Sequence, residues 1–567
     1  MPRIGGRGMP ALRLRVGFLV IAIVLSVFGA RLVQLQGFDP HSYAAMAAAE
    51  DLVEVELPAQ RGDILDRNGE PLADSVEGRM IIADPKLTRD KASEIATFLS
   101  KRLGIDYFSA LRKLREDSRF EYIARRVPAT QATQALEEAE ELGYVGLSSE
   151  RDPIRVYPAD DVAANLVGFI GTDEPLAGFE RTFDSYLAGK DGSATYETGG
   201  GARIPLGDSS TTEPVDGKDL HTTIDRELQW YSQRVLRAAV EQSNAESGLV
   251  VVMDSRTGHV LTLADDPTFD ANEPALAPKA DRGSRAMSDV YEPGSVQKVL
   301  TVAGLLDAGL VTPRTRLTVP NSLARQDRVI HDWFEHPTMR WTLAGVIAQS
   351  SNIGTVLAAD QFAPGQLRDY LLDFGLGQKT GVGVRGESPG LLPPGPTWDD
   401  QTEDRIDFGQ SLSVNALQMT AAVNTIANGG VRIDPSLVQG SATTDSGETV
   451  GTDQAQRTRV VSEEAATQTA QMMEGVVDPE TGTAQRANPE CGCYDGTFTV
   501  SFAGFAPADD PRFTVYVAIQ NPRKGGGGGS LAGPVFSKVM GFALQRYGVQ
   551  PTGTKPAKLP VTWGRDR

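Results

Sequence analysis

Residues 291–298 read Tyr-Glu-Pro-Gly-Ser-Val-Gln-Lys, and an apolar run, VLTVAGLL, follows at 299–306 without a break. Pro293 and Gly294 form a turn, and helical periodicity over 296–310 puts Ser295 at a helix start. Lys298, three residues on, shares its face. A serine hydroxyl needs an adjacent base to act as a nucleophile at neutral pH. A lysine supplies one when burial or a second cation lowers its pKa, and a helix N-terminus favours the negative charge that develops beside Ser295. The same spacing also describes a capping serine followed by a solvated lysine.

A second element lies downstream, QSSN at 349–352, within a helical stretch over 343–360. The hydroxyl of Ser350 and the amide of Asn352, two residues apart, suit bridging the lysine and holding a substrate carbonyl. Working outward, 248–253 and 260–263 read as two strands joined by a polar turn, helical periodicity returns at 416–428, and strand patterns return at 498–505 and 513–520. Strands, a helical block and strands again predict an α+β domain, an antiparallel sheet flanked by helices. Residues 525–529, all glycine, read as a flexible loop before a final helix, and the stretch after Gln550 as a loose tail.

Upstream the texture differs. Residues 89–114 and 129–142 have helical patterning, and the Gly/Ser/Thr-rich stretch 199–212 reads as a linker or an exposed hairpin. At 567 residues the chain exceeds one compact core. We place a pedestal domain at 37–215, the α+β domain at 216–549 and a flexible tail at 550–567.

Arg3, Arg7, Arg13 and Arg15 precede an uncharged apolar run over 16–30, with Leu32, Val33 and Leu35 extending it past Arg31. That approaches the roughly 20 residues needed to cross a bilayer. The pattern predicts a basic cytoplasmic tail at 1–15, a single membrane anchor at 16–36 and everything after it outside the cell. A cleaved signal peptide is the rival, but the small residues at 44–49 lie well beyond the apolar run. The net charge of -19 excludes sequence-independent nucleic-acid binding. The two cysteines, Cys491 and Cys493, with five scattered histidines, form no metal-ligand pattern and read as minor thiols or one local disulfide.

Ser295-x-x-Lys298 followed by Ser350-x-Asn352 resembles the first two motifs of the penicillin-recognising serine enzymes, and the surroundings resemble the class B penicillin-binding proteins. RGDILDRNG at 61–69, RVYP at 155–158, Gly168 and GFE at 178–180 are similar to that branch's pedestal. TID at 223–225, DAN at 270–272, WTL at 341–343, FGQ at 408–410 and FAGFAP at 502–507 match its second domain in order. CGCY at 491–494 resembles the septal, cell-division members.

The resemblance implies a peptidoglycan D,D-transpeptidase, the target of β-lactams, with no cofactor. Ser295 would attack between two terminal D-alanines, Lys298 would take its proton, Ser350 would protonate the leaving amine and Asn352 would orient the donor. Implied partners are stem peptides, the cell membrane, a membrane glycan polymerase and other division proteins.

The family's third motif, Lys-Thr-Gly or Lys-Ser-Gly, matches ETGTAQ at 480–485, which assigns Thr481, Gly482 and Thr483 to substrate binding. Here Glu480 replaces the lysine, and only Asp478 and Pro479 separate it from the helix end at 473–477. A carboxylate facing the substrate's carboxylate at 4 Å is repulsive by about 1 to 4 kcal/mol. KTG at 379–381 resembles a connector and is a candidate replacement. The altered motif also supports a second reading, a pseudo-enzyme acting as a division scaffold. A third is a hydrolase or penicillin sensor, for which the pedestal is superfluous and the apolar spans too few.

Overall fold

The structure, a computed structural model, describes residues 10–34, 52–171, 174–199, 202–203, 209–326, 328–476, 483–487 and 494–564. The chain divides into two compact units, Met1–Ala59 with Lys190–Val215 and Gln60–Gly189 with Asp216–Arg567.

In the first unit, the helix Pro10–Val33 contains an 18-residue stretch, Leu14–Arg31, of mean hydropathy 2.0. At about 1.5 Å per residue the whole helix outspans a hydrocarbon core of roughly 30 Å. It is the one helix among the described residues that is long and apolar enough to do so. The strand Leu52–Leu57 pairs antiparallel with Gly192–Gly199, which pairs on its other side with Ser209–Thr212. Ala202–Arg203 folds back onto Thr198 and Gly199, so the Gly-rich stretch contributes a hairpin.

In the second unit the N-terminal signatures converge on one carboxylate. The Glu180 side chain has no solvent exposure and is met by Arg61 and Arg155, each at 2.7 Å. Arg61 also reaches Asp184 at 2.6 Å. A buried carboxylate is tolerated when it is paired and hydrogen-bonded, which accounts for the three separated signature pieces. Beside them a three-stranded sheet, with Gly78–Ala83 between Glu121–Pro128 and Leu147–Arg151, packs against Ala92–Leu103 and Ala129–Glu141. The helical patterning over 89–114 is broken at Gly104 into Ala92–Leu103 and Tyr107–Lys113, and Ala129–Glu141 ends one residue short of the second patterned stretch.

The site sits on a five-stranded antiparallel sheet. Its strands are Ser247–Asp254 (β1), Val260–Asp266 (β2), Thr483–Ala487 (β3), Tyr494–Ala506 (β4) and Phe513–Gln520 (β5), in the spatial order β2-β1-β5-β4-β3. Alternation assigns the faces. Val250, Val252, Val515 and Val517 pack on Arg226–Ser243 (α1) and Gly528–Arg546, while Leu249, Val251, Tyr516 and Ala518 join the core containing Ala416–Ala427. All eight residues of β5 are buried, as a strand covered on both faces requires. The same core takes in Ile64, Leu72, Phe179 and Phe183, so the hydrophobic interior passes without interruption from the signature segment into the sheet domain.

Two expectations change. The final helix starts at Gly528, so part of the glycine run is helical. Among the described residues after Gln550 there is no helix or strand, but Val561 and Trp563 are held. Thr342 NH donates to Val561 O at 3.0 Å, and the guanidinium groups of Arg316 and Arg340 lie 5.7 and 5.3 Å from the Trp563 ring. An indole gains burial and two cations there, which a polar tail pattern conceals.

Candidate active site

Ser295 lies in a single 3-10 turn, Gly294–Gln297, that leads into the helix Lys298–Asp307 (α2). The turn is set backbone against backbone. Gly294 NH donates to Gly409 O at 2.9 Å, and a Cβ on Gly409 would stand 2.1 Å from Gly294 O. Both glycines have positive φ, 58° and 88°, where a side chain is strained as well as crowded. Hence the FGQ string at 408–410: it is the wall on which the Ser295 turn rests. Glu292, just before the turn, accepts from Tyr494 Oη at 2.6 Å and from Ser411 NH at 2.9 Å, tying the turn to β4.

The helical stretch predicted over 343–360 is broken into Leu343–Ala348 and Asn352–Ala359 (α3). Ser350 takes φ 53° between them, and Ser351 caps α3 by accepting from Gly354 NH at 2.8 Å. A non-glycine residue in this region is strained and is held there by its surroundings. The kink turns Ser350 toward Lys298. Lys298 Nζ donates to Ser350 O at 2.5 Å and to Ser350 Oγ at 3.3 Å. The amine is fully buried, and burial lowers its pKa to about 7 against the upward pull of the Asp332 carboxylate. A lysine so placed carries a lone pair at neutral pH.

A cleft of about 320 Å³ opens over this arrangement and is lined by Ser295, Ser350, Asn352, Trp333, Gln410 and Thr483. β3 forms one wall. It pairs with β4 at Thr483↔Val500 and Ala484↔Thr499, and a Cβ on Gly294 would lie 3.3 Å from Thr483 O. The strand therefore reaches the turn that carries Ser295. An apolar cavity of about 230 Å³ adjoins the cleft at Ser295, Lys298 and Ser350, walled by Met473, Phe502 and Phe536.

A family model for the penicillin-binding protein transpeptidase domain matches residues 248–541, and one for the penicillin-binding protein dimerisation domain matches 56–175. The chain belongs to the penicillin-binding protein transpeptidase family. Penicillin-binding protein PbpB of Mycolicibacterium smegmatis is 35% identical over 97% of this chain and 93% of that protein. Peptidoglycan D,D-transpeptidase FtsI of Escherichia coli is 31% identical over 94% of this chain and 91% of that protein. The crystal structure of penicillin binding protein 3 from Mycobacterium tuberculosis complexed with aztreonam superposes with a TM-score of 0.68, at 30% identity, over 90% of this chain and all of that one.

In this penicillin-binding protein Ser295, Lys298, Ser350, Asn352 and Thr483 share one site, whereas Thr481 and Gly482, with Glu480, Cys491 and Cys493, lie outside the described residues. Lys379, Thr380 and Gly381 do not line the cleft. Thr380 donates through its NH and hydroxyl to the buried Glu387, at 2.8 and 2.7 Å, which makes KTG a structural turn. Sequence reasoning missed the loop 331–336. Trp333 Nε1 donates to Gln349 O at 3.0 Å, Asn352 Nδ2 to His331 O at 3.0 Å, and Ser351 Oγ to Asp332 at 2.7 Å. Gln349, Ser351 and Asn352, on either side of Ser350, are thus stitched to this loop. One Asp and two His in a polar stretch carry no periodic signal.

Proposed function

We propose that this chain is a membrane-anchored peptidoglycan D,D-transpeptidase of cell division in which Ser295 is the acylated residue. The observation that carries the assignment is the buried Lys298 amine, lowered to about 7, against Ser350 at the floor of the cleft that exposes Ser295. In the forward step Ser295 Oγ bonds to the carbonyl carbon of the penultimate D-alanine while its proton passes to Lys298 Nζ. The C–N bond to the terminal D-alanine then breaks, and the proton leaves by way of Ser350 to the departing amine. Asn352 orients the donor through its side-chain amide. The backbone NH groups of Ser295 and Thr483 receive the developing oxyanion, a role supported by the contact of β3 with the nucleophile turn. An amine from a neighbouring strand attacks the ester, forms the crosslink and returns the proton to Ser295. Thr481 and Gly482 are assigned to substrate binding by their place in the third motif, and a β-lactam in the donor's place leaves a stable ester.

Arg3, Arg7, Arg13 and Arg15 keep the N-terminus in the cytoplasm and the catalytic domain outside. The domain plan is an anchor at 16–36, a pedestal at 37–215 and a catalytic domain at 216–549. Glycan strands come from a partner membrane polymerase, and other division proteins bind the pedestal.

The test is the intact mass of the protein after incubation with a penicillin, with Ser295→Ala alongside. The expected result is one adduct per chain, absent in the variant. A folded protein that takes no adduct, or an adduct that survives in Ser295→Ala, overturns the assignment.

A further inference from the structure

The tail comes back to the second motif from the far end of the sequence. Residues 551–556 are exposed, and firm contact begins at Ala557, whose NH donates to Glu474 Oε2 at 3.0 Å. Leu559 packs against the main hydrophobic core. The strand Met339–Thr342 pairs antiparallel with Arg316–Val319 on one edge, and the tail takes its other edge. Thr562 bridges antiparallel to Trp341, Thr342 NH donates to Val561 O at 3.0 Å, and Trp563 NH donates to Arg340 O at 3.0 Å. The Trp563 indole reaches over this strand to the next, where Nε1 donates to Leu317 O at 2.9 Å between the guanidinium groups of Arg316 and Arg340. An edge strand left bare would expose its row of backbone groups, and here the chain covers its own.

What the tail covers is the footing of Ser350. Met339–Thr342 runs directly into the helix Leu343–Ala348, and Ser350 follows after Gln349. Thr342 Oγ1 caps that helix by accepting from Gly345 NH at 3.1 Å and donates in turn to Pro560 O. A Cβ on Gly345 would stand 2.0 Å from Val561 O, so the tail's backbone occupies the place of a side chain on the first turn. Six residues are too few for a helix to hold itself, and the φ of 53° at Ser350 requires firm surroundings. The loop 331–336, the other brace of the motif, leans on the same strand: the rings of Phe334 and His336 lie 6.4 and 5.2 Å from that of Trp341. The two supports of Ser350 therefore share one strand, and the tail pins it.

We propose that residues 557–563 are a positioning segment for acylation: paired with Met339–Thr342 and clamped on the first turn of Leu343–Ala348, they fix Ser350 where it meets Lys298. The proposal rests on the reading of Ser350 as a proton carrier in the acylation of Ser295. A misplacement of about 1 Å at a reacting group can cost about 10²-fold in rate, so a segment that never touches substrate can govern the reaction.

The experiment uses the protein in detergent as wild type, Trp563→Ala, Trp563→Phe and a chain ending at Pro556, with folding checked by thermal unfolding. Acylation by a penicillin is followed by intact mass over a series of concentrations, which separates the rate at saturation from the concentration giving half of it. The shortened chain should be slowed at saturation by about 10-fold or more, with the half-saturating concentration little changed. Trp563→Ala should be slowed in the same sense, and Trp563→Phe, which keeps a ring between the two arginines, should recover part of the rate. A peptide of residues 557–564 added in excess should restore the shortened chain, whereas the same peptide carrying Trp563→Ala should not. A folded shortened chain acylated at the wild-type rate overturns the proposal, and so does a slowed chain that the peptide leaves slow. If the shortened chain does not fold, the full-length variants decide, and equal rates in wild type and Trp563→Ala refute the proposal. A wild-type chain that takes no adduct removes the reading of Ser295 together with the proposal, whereas wild-type acylation with unaffected variants removes the proposal alone.

Discussion

Glu180 and Lys298 are both ionisable side chains taken fully out of water, one beneath the signature segment and the other beneath the cleft, and the protein treats them oppositely. Two arginines surround Glu180 at salt-bridge distance, and the cluster acts as a fixed joint. Lys298 is left to a hydroxyl and a carbonyl, and burial lowers its pKa to about 7 against the upward pull of Asp332. The same desolvation makes a support in one place and a base in the other. What differs is whether a counter-charge is allowed to touch.

The largest test of this contrast is Lys298→Met. It removes the amine and keeps the volume, so penicillin acylation should fall by about 10² to 10⁴-fold, the usual worth of a positioned base, with no loss of thermal stability. A stability loss with unchanged acylation would mean that Lys298 is the structural member. Glu180→Ala reverses the pattern. Stranding two buried arginines should cost about 3 to 5 kcal/mol in denaturant unfolding, while the acylation rate of the molecules that remain folded is unchanged.

Next comes pH. Because the neutral amine is the active form, acylation should drop about tenfold per unit below the Lys298 midpoint of about 7 and level off above it. The same group weighs on stability with a definite sign. Its folded pKa is depressed below an unfolded value of about 10.4, so the unfolded chain binds more protons between the two, and stability should rise with pH through that window. Lys298→Met should flatten that rise in unfolding measured from pH 7 to 10. The smallest expected effect is Ser351→Ala, which removes the cap of α3 and one donor to Asp332, at a cost of about 0.5 to 2 kcal/mol in unfolding free energy.

The sequence displayed the parts of this site that are local. Ser295 and Lys298 are three residues apart, Ser350 and Asn352 two, and a fixed spacing on a helix or turn places side chains without help from the rest of the fold. The strands β1 and β5 were readable from their apolar runs, and the helices near them from their period. The break at Ser350 was not, because apolar residues continue on both sides and the left-handed φ is imposed by packing and by the Ser351 cap. Nor was the loop 331–336, whose meaning comes from partners in a different element: Asp332 is a surface-type residue by composition and is buried here against Ser351 and Ile353. The tail misled for a related reason, since Val561 and Trp563 are held by contacts with residues far away in sequence.

That tail has a practical corollary for microscopy and purification. Val561 O stands 2.0 Å from where a Cβ on Gly345 would be, in the helix that runs into Ser350. A fluorescent protein or affinity handle fused close behind Trp563 would tug on that helix, and a chain cut at Gln550 would uncover it. Reporters for following this protein in dividing cells belong at the other end, ahead of the basic residues.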